Sequence, residues 1–243
     1  MKKTLLLTLL LLTLPALAQT TDTAAAIVDR YLTLLNGDAL PQDSMLVMES
    51  VISHRGLPDT FYMHRYFAPG EMQRVEVRRT DSTLVTGLCS NGKDRFRQFF
   101  PRKDWWEDVS PIDFADMMLP YDYRGTLYHW REHGITLRYN GTTEVEGHPL
   151  QVVVANQPNH FTRYYMFDST NGLLVFVSEK DHRQQELVIP GSQPVDWKTI
   201  HEYQPVGESL IVNLESFLRG QLFTIVETTM HLEKKNNLLF NQD

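Results

Sequence analysis

The hydrophobic pattern of this chain changes period along its length. Over Thr23–Leu35 the apolar residues Ala26, Ile27, Tyr31, Leu34 and Leu35 recur at helical spacing, and Asn36-Gly37 follows as a stop. That spacing predicts an amphipathic helix whose stripe must cover something. From Ser44 the period is two. Leu46, Met48 and Ile52 alternate with Met45, Val47 and Val51, which predicts a strand apolar on both faces. Thr60–Phe67 sets Phe61, Met63 and Phe67 against Tyr62, His64 and Tyr66, and Glu71–Arg79 sets Val75 and Val77 against Arg74, Glu76 and Arg78. Strands Thr83–Cys89 and Asp94–Phe100 follow, joined by the hairpin turn Ser90-Asn91-Gly92-Lys93.

Residues 101–133 interrupt this meander. Trp105-Trp106 precede Ser110-Pro111, a start signal for a short helix that Pro120 stops, with Phe114, Met117 and Met118 on one of its faces. Gly134–Asp181 then returns to strands: runs rich in Val, Tyr and Phe are separated by Asn140-Gly141, Glu146–Pro149, Asn156–Asn159 and Ser169–Gly172. Further strands are expected over Trp197–Gln204, Ser209–Val212 and Leu222–Leu232, with a closing tail tucked back through Leu238, Leu239 and Phe240. Two helices and about eleven strands cannot form alternating βαβ units. The pattern predicts a mainly β fold in which a wide, curved antiparallel sheet forms an incomplete, half-open barrel capped by the helices.

Composition adds an address and removes some partners. Met1-Lys2-Lys3, the apolar run Thr4–Leu14 and Ala16-Leu17-Ala18 read as a secretory signal cleaved after Ala18, too short to span a membrane. No cysteine lies near the cleavage point, so the mature chain, 19–243, is expected as one soluble, exported domain without a lipid anchor. Lys and Arg number 23 against 30 Asp and Glu, and the leader takes two of those lysines with it. An acidic chain of this kind is a poor partner for nucleic acid or an anionic membrane. Cys89 is the sole cysteine, which excludes an intramolecular disulfide, and its strand context predicts a small buried residue.

Candidate chemistry is sparse. His129-Trp130-Arg131-Glu132-His133 matches the H-x-x-E-H signature, in which two histidines one helical turn apart bind zinc. Gly125 and Gly134 leave room for only a single helical turn there, so a zinc peptidase is the least favoured reading. No G-x-S-x-G, phosphate loop or paired cysteine is present. Asn140-Gly141-Thr142 is read as a turn. The expectation is a non-enzyme without cofactor or metal.

A resemblance supplies a function. Ala24–Gly37, Phe114–Leu127 (FADMMLPYDYRGTL), Gly134–His148 (GITLRYNGTTEVEGH), Tyr164–Glu179 (YYMFDSTNGLLVFVSE) and the terminal Asn237–Phe240 together resemble, in order and spacing, the LolA/LolB lipoprotein-carrier superfamily, while Gln184–Trp197 has no counterpart in it. The resemblance implies a half-barrel with a hydrophobic cavity that carries lipid or lipoprotein through the periplasm as a monomer. It also implies an inner-membrane donor and an outer-membrane acceptor. Acyl chains in water are unfavourable by about 0.8 kcal/mol per CH₂, so a carrier must offer them apolar shelter. The residues expected to line the cavity and its lid are Leu46, Met48, Ile52, Phe61, Met63, Val75, Val77, Trp105, Trp106, Phe114, Met117 and Met118. The lid falls in Trp105–Leu119, and Gly134–Asp181 serves as a rigid wall. A structural or adaptor domain that shares the fold but packs shut without a ligand is the alternative from another class.

Overall fold

The computed structural model describes residues 23–118, 121–145, 147–158, 162–179, 197–219 and 222–240. The expected leader, 1–18, lies outside them, as does most of Gln184–Trp197. The described residues form thirteen strands in one curved antiparallel sheet that is not closed into a barrel. In chain order these are β1 (Ser44–His54), β2 (Thr60–Ala68), β3 (Met72–Arg79), β4 (Leu84–Asn91), β5 (Phe96–Phe100), β6 (Trp105–Asp108), β7 (Thr136–Val145), β8 (His148–Asn156), β9 (Thr162–Asp168), β10 (Leu174–Ser178), β11 (Trp197–Val206), β12 (Ser209–Arg219) and β13 (Leu222–Lys234). Their order across the sheet is β6-β5-β4-β3-β2-β1-β13-β12-β11-β10-β9-β8-β7. Helix α1 covers residues 23–35 and α2 covers Pro111–Met118.

The chain divides into two compact units, one from Met1–Leu34 and His129–Trp197, the other from Leu35–Tyr128 and Lys198–Asp243. In the first, α1 buries Ala24, Ile27, Val28 and Tyr31, while Leu34 is 40% exposed and Ala26 faces out. The buried stripe is therefore rotated from the expected one. Tyr31 meets Phe167 of β9 edge-on, with ring centroids 5.4 Å apart. Asp168 closes the turn before β10 by accepting the Thr170 amide at 2.7 Å. Asn140-Gly141 does not separate two strands. It lies inside β7, where the register to β8 shifts between Tyr139 and Thr142 and Gly141 takes φ 86°. Such a glycine-bearing bulge adds a residue without ending the strand.

In the second unit, β3 shows why alternation alone misjudges exposure. Val75 is 1% exposed, but Arg74 (6%) and Glu76 (8%) on its charged face are buried as well. That face is covered by the closing 3-10 turn Asn237–Phe240 and by Trp106. Phe240 seats among Met45, Val47 and Ala68 with Leu239 partly buried beside it, whereas Leu238 is 77% exposed. Cys89 is buried under the same turn, and burial pushes its thiol pKa up, as a structural cysteine requires.

Helix α2 begins where Ser110-Pro111 predicts. The Asp113 amide donates to Ser110 Oγ at 3.1 Å, and that hydroxyl donates to the Asp113 carboxylate at 2.7 Å. Loss of an N-cap costs about 1 kcal/mol. Ser110→Ala is therefore expected to speed hydrogen exchange of the α2 amides roughly five-fold. Unchanged exchange would mean that the cap contributes nothing.

Candidate ligand-binding site

The apolar face of the second unit is assembled by strand register. Met48 on β1 stands opposite Met230 on β13 and Arg65 on β2, and Arg65 stands opposite Val75 on β3. Leu46, Met48, Met63, Phe67, Val75, Leu88, Val206, Ile211 and Met230 are buried together, and α2 lays Phe114 and Met118 on them. Ile52, Val77 and Met117 pack against the cluster half-buried. Nine of the twelve residues expected to line a cavity and its lid belong to this cluster or pack against it.

The other three lie outside the cluster. Phe61 is half-buried with its ring edge against His54, at a centroid distance of 5.9 Å. Trp105 is 62% exposed. Trp106 lies on the opposite face, its ring 5.6 Å from that of Phe99 and 5.6 Å from the Arg74 guanidinium carbon. The expected lid, Trp105–Leu119, is therefore part strand: Trp105–Asp108 is β6, at one end of the sheet order, while Val109 and α2 pack on the apolar cluster, joined there by Leu40, Tyr121 and Tyr123.

The same face of β2 also carries a charged residue. Phe61, Met63 and Phe67 share a face of β2, and so does Arg65 between the last two. Arg65 is 8% exposed. Its Nη2 donates to Ser50 Oγ at 3.2 Å and to Thr228 Oγ1 at 3.5 Å, and its Nη1 to the Tyr121 carbonyl at 3.5 Å. Ser50 and Thr228 bond each other at 2.8 Å. Burial pushes the Arg65 pKa down, against the pull of Glu215 and Asp122. A cation at an apolar strand position was the sequence signal for this site.

A cleft of about 190 Å³ adjoins the cluster at Leu40, Phe67 and Tyr123 and is lined further by Gly37, Asp38, Gln42, Met72 and Arg124. Its polar groups are engaged with one another. Arg124 donates to both oxygens of Asp122, at 3.0 and 2.8 Å, and stacks 4.2 Å from the Tyr128 ring centre. Although burial opposes it, the Asp122 bonds hold the Arg124 pKa above its ordinary value. Tyr128 is pushed up to about 12, by burial first and then by its bond to Asp38. Tyr123 donates to the Gly37 carbonyl at 2.5 Å.

The H-x-x-E-H stretch is not helical. His129–Gly134 form turns, His129 has φ 56°, and its imidazole sits 3.7 Å from Glu132, its own third neighbour. The His133 amide donates to the His129 carbonyl at 3.0 Å and the two imidazole centroids lie 6.3 Å apart, so the stretch makes one isolated turn and not the longer helix from which the signature works. Among the described residues, no three His, Cys, Asp or Glu side chains converge as metal ligands.

No protein-family model matches the sequence, and a search of the curated proteins finds no match. Solved structures do match. A DUF1329 family protein from Desulfovibrio piger superposes with TM-score 0.57 at 12% identity, over 90% of this chain and 97% of that one. A LolA superfamily protein from Nitrosomonas europaea gives 0.57 at 9%, over 90% and 98%. A domain from Vibrio parahaemolyticus assigned to outer-membrane lipoprotein sorting gives 0.50 at 11%, over 86% and 94%. The strand order, the capping helices and these superpositions agree: the chain has a LolA-like fold.

Proposed function

We propose that this protein is a periplasmic carrier of lipid or lipoprotein, and that it shelters acyl chains on the apolar face beneath α2. The observation that supports this most is the cluster itself. It is a broad apolar sheet surface on which the eight-residue α2 packs together with Leu40, Val109, Tyr121 and Tyr123, and a ligand can take the place of the helix by displacing it. Leu46, Met48, Ile52, Met63, Val75 and Val77 form the wall in this reading, with Phe114, Met117 and Met118 as the lid. Methionine suits that role, being unbranched and adaptable to chains of different shape. The LolA-like fold and the lipoprotein-sorting assignment of the Vibrio domain point the same way. One observation favours the ligand-free alternative: the cluster is closed, with Leu46, Met48 and Val75 each at 1% exposure or less.

Mature protein purified from the periplasm and extracted with organic solvent is expected to release acyl lipid. Delipidated protein is expected to bind a fluorescent polyene fatty acid saturably. A protein that yields no lipid and binds no probe is not a carrier.

A further inference from the structure

Arg65 lies in the middle of the apolar face rather than at its rim. Its cross-strand neighbours are Met48 and Val75, and Met63 and Phe67 flank it on β2. A guanidinium with five N–H donors, more than nine-tenths buried, should be matched by a carboxylate or by short charge-assisted bonds of about 2.7–2.9 Å. Here the bonds are 3.2, 3.5 and 3.5 Å, all to neutral oxygens, and the buried Nε has no acceptor. Among the described residues no carboxylate forms an ion pair with it. The two carboxylates that act on it across space are already engaged, Glu215 with Lys198 and Asp122 with Arg124.

The surroundings are built like a receiving site. Ser50 (2% exposed) and Thr228 (7%) place two hydroxyls beside the guanidinium. On β12, Leu214 stands opposite Glu227, the neighbour of Thr228 on β13, and the buried Oδ1 of the preceding Asn213 also lacks a partner. A polar seam therefore crosses an apolar surface, with a cation at its centre whose bonds are long and whose Nε–H has no acceptor.

We infer that Arg65, with Ser50 and Thr228, receives the anionic headgroup of an amphiphile whose chain lies along the Met48, Met63 and Val75 face. The inference rests on the carrier reading and narrows it to single-chain or headgroup-inserted anionic lipids. A carboxylate and a phosphate share the required chemistry: planar or near-planar pairs of anionic oxygens that a guanidinium can grip with two N–H groups.

The test uses the delipidated mature protein and two probes with the same polyene chain, cis-parinaric acid and its neutral alcohol, at mildly alkaline pH. The native protein is expected to bind the acid about ten-fold more tightly than the alcohol, the difference one charge-assisted contact makes. Arg65→Leu is expected to equalise the two while keeping the alcohol's affinity, which shows that the apolar shelter survives. Ser50→Asp, which places a carboxylate within reach of Nη2, is expected to do the same without removing Arg65, and it carries the test if Arg65→Leu does not fold. Displacement of the acid probe by palmitate ahead of lysophosphatidic acid assigns a carboxylate, and the reverse order assigns a phosphate. Equal displacement by a neutral monoacylglycerol removes the site. Equal binding of acid and alcohol by the native protein overturns the inference and leaves the carrier reading standing. If neither probe binds, the carrier reading falls and takes the inference with it.

Discussion

Glu76→Gln is expected to destabilise the fold by about 3–5 kcal/mol, the cost of leaving a buried charge without its partner. Glu76 is held between two guanidinia. Arg74 donates Nε to Oε1 at 2.9 Å, with Nη2 close to the same oxygen, and Arg78 donates Nε and Nη2 to Oε2 at 3.0 and 2.7 Å. Arg74 in turn gives Nη1 to the Leu239 carbonyl at 2.8 Å and lies over the Trp106 ring, so the carboxylate, the closing turn and β6 depend on one another. Burial alone would raise the Glu76 pKa, but the bonds and charges of Arg74 and Arg78 outweigh it and hold the carboxyl below the ordinary glutamate range. A folded-state pKa below the unfolded one contributes stability that is present above the unfolded value, about 4.3, and is lost as pH falls through the folded value. Urea unfolding of the native protein should therefore weaken below about pH 4. The Gln variant should start low and lose less over the same range. The double change Arg74→Met with Glu76→Leu should recover most of the loss, since a buried pair replaced by apolar groups is often neutral. A loss within 1 kcal/mol for Glu76→Gln would show that water already solvates Arg74.

Much of this fold is legible because period-two alternation is a direct consequence of burying one face. The expected Thr60–Phe67 and Glu71–Arg79 differ from β2 and β3 by a single residue at one end. Alternation fails where a strand has no simple sides. Trp105–Asp108 (WWED) is too short and too mixed to show a period, and only pairing with Phe100–Arg97 makes it β6. β12 continues to Arg219, past the expected Val212, because Asn213, Glu215 and Ser216 are polar residues that still sit partly or wholly buried. In β7, Gly141 permits a bulge where a turn was read. The charged face of β3 gave no sign of burial, because what covers it lies some 160 residues away at the closing turn, bonded through Arg74 to Leu239. The candidate site was readable in its methionines and in Phe114. Arg65 carried its signal in plain alternation, but a lone cation is more often solvated than buried, and its register partners Met48 and Val75 emerge only from the sheet.

Phe114→Ala is expected to open α2 without unfolding the protein. The helix holds the sheet through Phe114, Met117 and Met118, with the Phe114 ring 5.4 Å from that of Phe96, while Ile112 on its other side is 76% exposed. Truncating a buried phenylalanine costs about 3–5 kcal/mol where the structure around it must stay packed. Eight residues of helix are too few to persist alone, so α2 is expected to detach locally once the anchor is lost, and the global cost is then capped at the free energy of that opening. Hydrogen exchange of the α2 amides should accelerate by about a hundred-fold, with a smaller shift of the global unfolding midpoint. The consequence separates the two readings of the apolar cluster. If α2 is a lid over a carrier surface, its release speeds uptake of a polyene fatty acid, which remains saturable at one site because the wall of Met48, Met63 and Val75 is intact. If the cluster is a filled core, the same opening exposes it to water without creating a binding site, and the variant takes up dye without saturation and aggregates. Faster exchange together with faster, saturable binding supports carriage, and faster exchange with neither supports the filled domain.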